Sequence, residues 1–256
     1  MGSQLSGLRL AIGTLSILRV RVDAADRATA GRAMACAPLV GAGIGVVAAA
    51  AGWAARAYTD STFLAAVAAV AVYAVATRAL HLDGLADVAD GLGSAKPRAQ
   101  ALEIMKQSDI GPFGVVTLLL VLSLQIASVA SAYAHHRGGI AIIVAAITGR
   151  LAVTLACTPS VPSARPEGLG AWVAGSVRTR IAAPIAALCI AASFALGYLR
   201  SLDTAILAVA ACVLGIACSL LLLRRCITRF GGITGDVLGA LVESAAAGAL
   251  LVMAAR

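Results

Sequence analysis

The sequence has little charge and few aromatic side chains for a chain of 256 residues. Only 12% of the residues are charged and 4% are aromatic, whereas 61% are hydrophobic and the mean hydropathy is +0.95. A soluble domain of this length would carry about twice this charged fraction. The scarcity of charge therefore excludes an ordinary soluble fold and predicts a protein built mainly from membrane-embedded segments.

Closely spaced cysteine pairs are also absent. None of the six cysteines belongs to a CxxC motif, and most of them lie in long apolar runs. We therefore expect the cysteines to pack as small apolar side chains and not to form disulfides or a metal site.

Seven long apolar runs predict seven membrane-spanning helices. Each run is close to the roughly 20 residues that a helix needs to cross the hydrocarbon, and none alternates as a barrel strand does. The runs cover residues 34–55, 62–80, 113–134, 139–158, 181–199, 203–223 and 236–255. The predicted fold is a single all-α integral-membrane domain over residues 1–256. It comprises a cytoplasmic amphipathic segment at 1–33 and a polytopic transmembrane bundle at 34–256.

The positions of lysine and arginine predict the orientation of this bundle. If the N-terminus is cytoplasmic, 15 of the 20 basic residues fall in inside segments and four fall outside, while Arg150 lies within a span. This bias favours an N-in/C-out arrangement. Topology then accounts for the net charge of +8, so we expect a lipid bilayer and no nucleic acid as a partner. Whether copies of the chain form a homo-oligomer stays open.

Acidic residues are scarce, yet three aspartates fall within eight residues of the stretch HLDGLADVADGLGS at 81–94. On a helix continuing the second span, Asp83, Asp87 and Asp90 share one narrow face. Like charges placed so closely repel, and a bound cation would remove the conflict. Carboxylate oxygens suit Mg²⁺ or Mn²⁺, so the pattern predicts a divalent metal site. The alternative is a solvated helix end, and the preceding His81 is either a structural histidine or a ligand.

A second acidic pattern, GGITGDVLGALVE at 231–243, begins the last span. Asp236 and Glu243 are seven residues apart and share a helix face, while Gly232 and Gly235 belong to a glycine-rich approach to it. A small-residue packing face would explain the glycines. It would not explain a carboxylate two turns into an apolar span, so Glu243 is a candidate functional residue.

Basic and polar residues supply candidate partners for a phosphate. Arg150 lies near the middle of a predicted span, where it faces the bundle interior unless the span edges are misplaced. Lys106 and Ser108 lie in EIMKQSDIGPFG, and Glu167 lies in ARPEGLG, although these residues also fit ordinary surface loops. Metal-binding carboxylates, a buried arginine and glycine clearings together indicate displacement at a phosphorus atom.

These blocks, in this order, resemble the cobalamin synthase family, the adenosylcobinamide-GDP ribazoletransferases. The first span, PLVGAGIG at 38–45, is similar to that family as well. The resemblance implies that the 3′-hydroxyl of α-ribazole, or of its 5′-phosphate, attacks the cobinamide-side phosphorus of adenosylcobinamide-GDP. GMP leaves, Mg²⁺ is required, and the enzyme lies in the cell (inner) membrane. Most acidic residues fall in or beside the inside segments, so we expect the site on the cytoplasmic face.

Site roles are carried over on this resemblance together with the residue patterns above. The expected metal ligands are Asp83, Asp87, Asp90 and Asp236, and the expected catalytic residues are Glu243 and Asp236. The expected substrate contacts are His81, Lys106, Ser108, Arg150, Glu167, Gly232 and Gly235. The family usually has KDSRIG where this chain has Lys106-Gln107-Ser108-Asp109-Ile110-Gly111, which predicts altered substrate affinity or choice.

Two alternatives from other groups of proteins are weighed against this function. Asp87-Val-Ala-Asp90-Gly91 is similar to the DxxDG opening of lipid CDP-alcohol phosphotransferases, but the Ala-Arg that should follow is missing. Their later acid, four residues after Asp236, is missing too. A transporter would place acids along a path between both faces of the membrane, whereas most acids here cluster on one side. Both comparisons favour the cobalamin synthase reaction.

Overall fold

The computed structural model of the chain describes residues 2–21 and 26–255. Within these residues the chain folds into eleven helices, and its one β-type contact is an isolated bridge between Ser163 and Ile233. The helices are α1 (Gly2–Leu15), α2 (Arg27–Thr59), α3 (Thr62–Ala76), α4 (Leu80–Gly93), α5 (Arg98–Ile104), α6 (Pro112–Ala134), α7 (Gly138–Ala156), α8 (Leu169–Val173), α9 (Thr179–Tyr198), α10 (Leu202–Phe230) and α11 (Gly235–Met253).

Six of the described helices, α2, α6, α7, α9, α10 and α11, are long and apolar enough to span a membrane. The consecutive helices α3 and α4 pass the same test only as a pair and would make a seventh span. The predicted all-α polytopic bundle of about seven spans is therefore confirmed. Two spans are longer than their apolar runs suggest, since α2 begins at Arg27 and α10 continues to Phe230.

The second predicted span, 62–80, ends early. Helix α3 stops at Ala76, and Arg78 and Ala79 take left-handed backbone conformations with φ of 56° and 54°. Helix α4 then leaves at 87° to α3. The sequence analysis placed the aspartate-rich motif on a continuation of the second span. In the structure the motif forms a separate helix, because the chain turns between α3 and α4. All three aspartates still lie on one α-helix, with the spacing that the sequence analysis used.

Helices α7 and α11 lie at the centre of the bundle, where small residues allow close approach. A Cβ atom at Gly41 of α2 would lie 2.4 Å from the carbonyl oxygen of Ala146 in α7. A Cβ atom at Gly149 of α7 would lie 2.9 Å from the carbonyl oxygen of Val242 in α11. Such contacts stabilise helix pairs in lipid, where apolar surface alone gives little drive to associate.

Side-chain caps define the starts of four helices. Asp26, Ser61, Ser201 and Thr234 each accept a hydrogen bond from the backbone N–H three residues later, at α2, α3, α10 and α11. Such caps satisfy amides that have no partner within the helix. At Asp26, hydrogen bonds from the Thr29 side chain and backbone hold the pKa of the carboxyl below its ordinary value. The Thr234 cap matters most here, because it fixes the turn that carries Asp236.

Candidate active site

Helix α4 and the start of α11 cross in direct backbone contact. A Cβ atom at Gly84 would lie 2.6 Å from the Asp236 carbonyl oxygen, and one at Gly239 would lie 3.1 Å from the Cα atom of His81. Gly84 therefore requires the absence of a side chain for the two helices to approach so closely, and Gly239 leaves only tight space for one. Two acidic segments that are about 150 residues apart in the chain meet at this crossing.

Three of the predicted metal ligands line one cleft of about 580 Å³ beside this crossing. Asp83 is exposed there, and Asp87 and Asp236 are half-buried. We call this space the acidic cleft. Its opposite wall is the connection between α5 and α6, residues 105–110, which includes the predicted substrate contacts Lys106 and Ser108. The sequence prediction that these carboxylates lie close together agrees with their shared lining of the cleft.

Arg165, which the sequence analysis counted only toward the membrane topology, joins the acidic cleft from the loop that also carries Glu167. The Ile233 amide donates to the Pro162 carbonyl at 2.9 Å, and the Ala164 amide donates to the Ile233 carbonyl at 3.0 Å. This pairing brings Arg165 Nη1 to 4.0 Å from Asp236 Oδ2. Arg165 Nη2 donates to the Leu102 carbonyl at 2.5 Å, while its buried Nε has no hydrogen-bond partner among the described residues.

Gly232 makes this loop pairing sterically feasible. Its φ is 153°, and a Cβ atom there would lie 2.2 Å from the Pro162 carbonyl oxygen. A side chain would separate the two loops and move Arg165 away from Asp236. Gly235 is different, since a Cβ atom there would make only ordinary contacts, at 3.7 Å from Leu169. Neither glycine lines the acidic cleft, so their predicted substrate contacts stay predictions.

A second cleft of about 950 Å³ adjoins the acidic cleft, and we call it the side cleft. Lys106, Gln107 and Arg165 line both spaces, so the two are neighbours across these residues. Glu167, a predicted substrate contact, lines the side cleft and is exposed. Lys106 forms an exposed ion pair of 3.0 Å with Glu103. The side cleft is therefore lined by three cations and two acids, whereas the acidic cleft is lined by four aspartates and two cations.

Asp90 has a different environment from the other aspartates of α4. Its Oδ2 atom accepts a hydrogen bond from the Gly111 amide at 2.8 Å, and its Oδ1 atom accepts one from the Gly114 amide at 2.9 Å. Asp90 is buried and does not line the acidic cleft. Both oxygens thus serve the first turn of α6, whose N-cap residue Gly111 has no side chain to offer. This position differs from the one expected of a metal ligand.

Glu243 and Arg150 lie deep in the bundle and line neither cleft. Glu243 is 2% exposed, and its Oε2 atom accepts a hydrogen bond from Gln125 Nε2 at 2.7 Å. Arg150 is fully buried, donates to the Tyr73 hydroxyl, and lies with Cζ 4.8 Å from the centroid of the Tyr73 ring. We call these four residues the inner polar cluster. Seven residues of helix separate Glu243 from Asp236 by about 10 Å along the axis.

His81 is also enclosed, at the start of α4. It is 3% exposed, and its Nδ1 atom has no hydrogen-bond partner among the described residues. It lines neither cleft. The predicted substrate contacts of His81 and Arg150, and the predicted catalytic role of Glu243, therefore stay predictions. For these three residues the structure shows burial inside the bundle.

The acidic cleft fits a magnesium site that substrate completes. Among the described residues, no three His, Cys, Asp or Glu side chains stand close enough to hold a metal by themselves. Magnesium commonly binds one or two carboxylates and takes its other ligands from water and substrate phosphates. Asp83, Asp87 and Asp236 offer hard oxygen ligands in a cleft with open volume for such a phosphate. Their mutual repulsion also favours a bound cation.

Comparison with known proteins agrees with the sequence resemblance. Residues 7–254 match the family model described as Cobalamin-5-phosphate synthase. A protein of Frankia casuarinae named adenosylcobinamide-GDP ribazoletransferase is 50% identical over 260 residues, covering 96% of this chain and 93% of the relative. Proteins of the same name from Nocardioides sp. and Corynebacterium diphtheriae are 39% and 33% identical, covering 97% and 98% of this chain and 98% and 92% of the relatives. No solved structure gives a significant match.

Proposed function

Because the chain belongs to the cobalamin-5-phosphate synthase family, we propose that it is an adenosylcobinamide-GDP ribazoletransferase. It transfers the cobinamide-phosphate group of adenosylcobinamide-GDP to the 3′-hydroxyl of α-ribazole or α-ribazole 5′-phosphate, and GMP leaves. The observation that carries this proposal is the acidic cleft, where Asp83 and Asp87 of one helix meet Asp236 of another beside Arg165.

Asp83 and Asp87 are the proposed ligands for Mg²⁺. They lie one helical turn apart on α4 and face the open volume of the acidic cleft, unlike Asp90, whose carboxylate caps α6. A bound magnesium ion neutralises charge on the phosphoryl oxygens and on the departing phosphate. Mn²⁺ shares the preference for oxygen ligands and would serve in the same position.

Arg165 and Lys106 are the proposed contacts for the diphosphate of the donor. Both line the boundary between the acidic cleft and the side cleft, so a diphosphate crossing this boundary passes both cations. The unpartnered Nε of Arg165 leaves a donor for a phosphate oxygen. The two clefts together supply room on both sides of the reacting phosphorus.

Asp236 is the proposed general base. Its Oδ2 atom accepts a hydrogen bond from the Thr234 hydroxyl at 3.1 Å and lies 4.0 Å from Arg165 Nη1. These two contacts orient the carboxylate at the wall of the cleft. As the ribazole oxygen bonds to phosphorus, its proton passes to Asp236 and the bond from phosphorus to the GMP oxygen breaks. The Arg165 guanidinium then faces the departing phosphate, whose negative charge it stabilises.

We place the protein in the cell (inner) membrane, with its N-terminus and both clefts on the cytoplasmic side. The support is the distribution of basic residues, 15 of which fall in segments on that side. The clefts are built from those same segments, namely the connections around residues 94–111 and 157–178. Water-soluble nucleotide substrates would then enter without crossing the bilayer.

The reaction is tested with purified protein in liposomes, supplied with adenosylcobinamide-GDP, α-ribazole 5′-phosphate and Mg²⁺. Chromatography follows GMP and the cobalamin product, and EDTA is expected to stop both. Asp87→Asn should abolish turnover, because it removes a charged ligand from the acidic cleft. Asp203→Asn is the matched control, since Asp203 is exposed in the first turn of α10 and lines neither cleft.

A folded wild-type protein that releases no GMP would refute the proposal. Supplying CDP-activated lipid donors to the same liposomes then tests the lipid CDP-alcohol phosphotransferase alternative, whose DxxDG pattern this chain shares. Uptake assays test the transporter alternative. The grouping of Asp83, Asp87 and Asp236 in one cleft, and not along a transmembrane path, favours the enzyme over a transporter.

A further inference from the structure

A third cleft, of about 780 Å³, lies between the beginnings of α2 and α9 and shares no lining residue with the acidic or the side cleft. Its described lining contains three arginines, Arg27, Arg32 and Arg178, and no acidic residue. We call it the basic cleft. Three cations around one open volume favour an anionic ligand.

The arginines of the basic cleft are held in place by the fold. Arg27 donates to the carbonyls of Ala171 and Ala174, which fixes its guanidinium beside the turn at 174–177. Arg32 Nη2 donates to the Thr29 hydroxyl at 2.8 Å and lies 4.0 Å from the Asp26 carboxylate. Among the described residues, Asp26 is the one carboxylate that forms an ion pair with any of these three arginines. The cleft therefore keeps a net positive charge.

Two polar atoms at this cleft lack partners. The Nε atom of Arg32 and the Oγ atom of Ser176 are both buried without a hydrogen bond among the described residues. Buried donors without a partner are costly, and a ligand that accepts hydrogen bonds would satisfy them. Both residues line the basic cleft. These two atoms therefore point to an acceptor-rich ligand, independently of the overall charge.

Helix α9 adds a third contribution. Its N-cap residue Arg178 lines the cleft and makes no side-chain cap, while the Ile181 amide of the first turn already donates to the Arg178 carbonyl at 2.8 Å. The positive end of the helix dipole strengthens the attraction for an anion. A phosphate group matches this combination of cations, a helix dipole and a hydroxyl.

The remaining wall of the basic cleft is apolar and continues along a membrane helix. Ile181 and Ile185 line the cleft one turn apart on α9, with Ala35 and Cys36 of α2 opposite. Further along α9, Leu188 is 65% exposed, and most of this helix faces outward from the bundle. A ligand with a phosphate at one end and hydrocarbon at the other would cover both parts of this surface.

We propose that the basic cleft binds an anionic phospholipid, with its phosphate at Arg32, Arg178 and Ser176 and its acyl chains along α9. Basic pockets between membrane helices are suited to lipid headgroups in this way. A free phosphate or nucleotide would use the cations but leave the apolar wall at Ile181 and Ile185 uncovered. The lipid is therefore the ligand that accounts for the whole cleft.

The test reconstitutes the full chain in bilayers of phosphatidylcholine with one quarter phosphatidylglycerol and measures retained lipid by native mass spectrometry. We expect the wild type to retain phosphatidylglycerol in preference to phosphatidylcholine. Arg178→Gln and Arg32→Gln should each weaken that retention about fivefold, the usual contribution of one basic side chain at a membrane surface. Arg180→Gln is the matched control, because Arg180 is exposed two residues further on and does not line the cleft.

Three results would overturn the proposal. These are equal retention of the two lipids by the wild type, an equal loss in Arg180→Gln, and displacement of bound phosphatidylglycerol by millimolar inorganic phosphate. The second result would indicate a general surface-charge effect, and the third a site for soluble anions. Thermal unfolding of each variant shows that lost retention does not reflect a lost fold, and Arg178, as an exposed residue, is the safer substitution in this respect.

Discussion

Gly84 of α4 lies against the backbone of Asp236 in α11, so close that a Cβ atom at Gly84 would stand 2.6 Å from the Asp236 carbonyl oxygen and 2.9 Å from its Cα atom. This contact unites the two acidic segments of the chain. Since the obstructing atoms belong to the backbone, rotation of a side chain cannot relieve the overlap. The geometry of the acidic cleft therefore depends on a missing methyl group.

Gly84→Ala should separate α4 from α11 and move Asp83 and Asp87 away from Asp236. We expect overpacking to lower the free energy of unfolding by about 1–3 kcal/mol. We also expect the protein that remains folded to release GMP more slowly than the wild type. Gly43→Ala is the control, because a Cβ atom at Gly43 of α2 would meet nothing within 4 Å. It should raise stability by up to about 1 kcal/mol through helix propensity. Equal activity in the two variants would contradict the proposed role of the crossing.

Asp87→Ala should mainly affect turnover, whereas Asp90→Ala should mainly affect stability. Asp90→Ala removes the acceptor for the Gly111 and Gly114 amides and should cost about 0.5–2 kcal/mol, as the loss of a helix cap does. Asp87→Ala should leave the melting temperature unchanged or raise it, because it removes repulsion within the acidic cleft, yet it should abolish turnover. Thermal unfolding and GMP release, measured on both variants, distinguish the roles. If Asp90→Ala is stable but needs much more Mg²⁺, Asp90 is a ligand.

Asp236→Asn and Glu243→Gln test which acid contacts substrate. A general base contributes about 10²–10⁴-fold to the rate, so Asp236→Asn should lower kcat by that order. Glu243→Gln should keep kcat within severalfold, because Glu243 is enclosed with Gln125 and lines neither cleft. It should lower thermal stability instead, since buried Arg150 loses a nearby negative charge. A large fall in kcat for Glu243→Gln without a loss of stability would support its predicted catalytic role.

Gln107 and Asp109, which depart from the usual KDSRIG pattern, both line the acidic cleft. The double substitution Gln107→Asp with Asp109→Arg restores that pattern and makes the cleft one unit more positive. We expect a lower KM for adenosylcobinamide-GDP, with kcat changed less than severalfold and the gain reduced at high salt. Asp203→Arg, which changes an exposed acid outside both clefts, should leave KM unchanged. Steady-state kinetics at two ionic strengths provide the measurement.

The membrane spans follow from hydropathy, because each long apolar run has one low-energy solution in lipid. The break between α3 and α4 does not follow. Thr77 and Arg78 interrupt the apolar run only briefly, and the two residues with positive φ are Arg78 and Ala79, where a turn signal would be glycine or proline. Because no local signal marks the turn, we attribute it to the packing of α4 against α6 and α11.

The sequence pattern identifies three acids that the structure brings to one cleft, but it does not identify their long-range partners. Asp83, Asp87 and Asp236 stand out because carboxylates are rare in so apolar a chain. The cap that Asp90 provides depends on Gly111 and Gly114, more than 20 residues away, and helix spacing carries no information about them. Arg165 was missed for the same reason, since its position depends on pairing of its loop with Ile233. Its only local signal was a place beside Glu167 in a polar loop.

The dependence of α4 on later helices has a consequence for synthesis of the protein. The ribosome completes helix α4 early. The two segments that contact α4, the first turn of α6 and the start of α11, are synthesised about 20 and 150 residues later. Until α11 is made, α4 lacks the helix whose backbone it contacts at Gly84. The acidic cleft is thus completed last, so a nascent chain stalled before α11 could insert most of its spans and still lack the proposed active site.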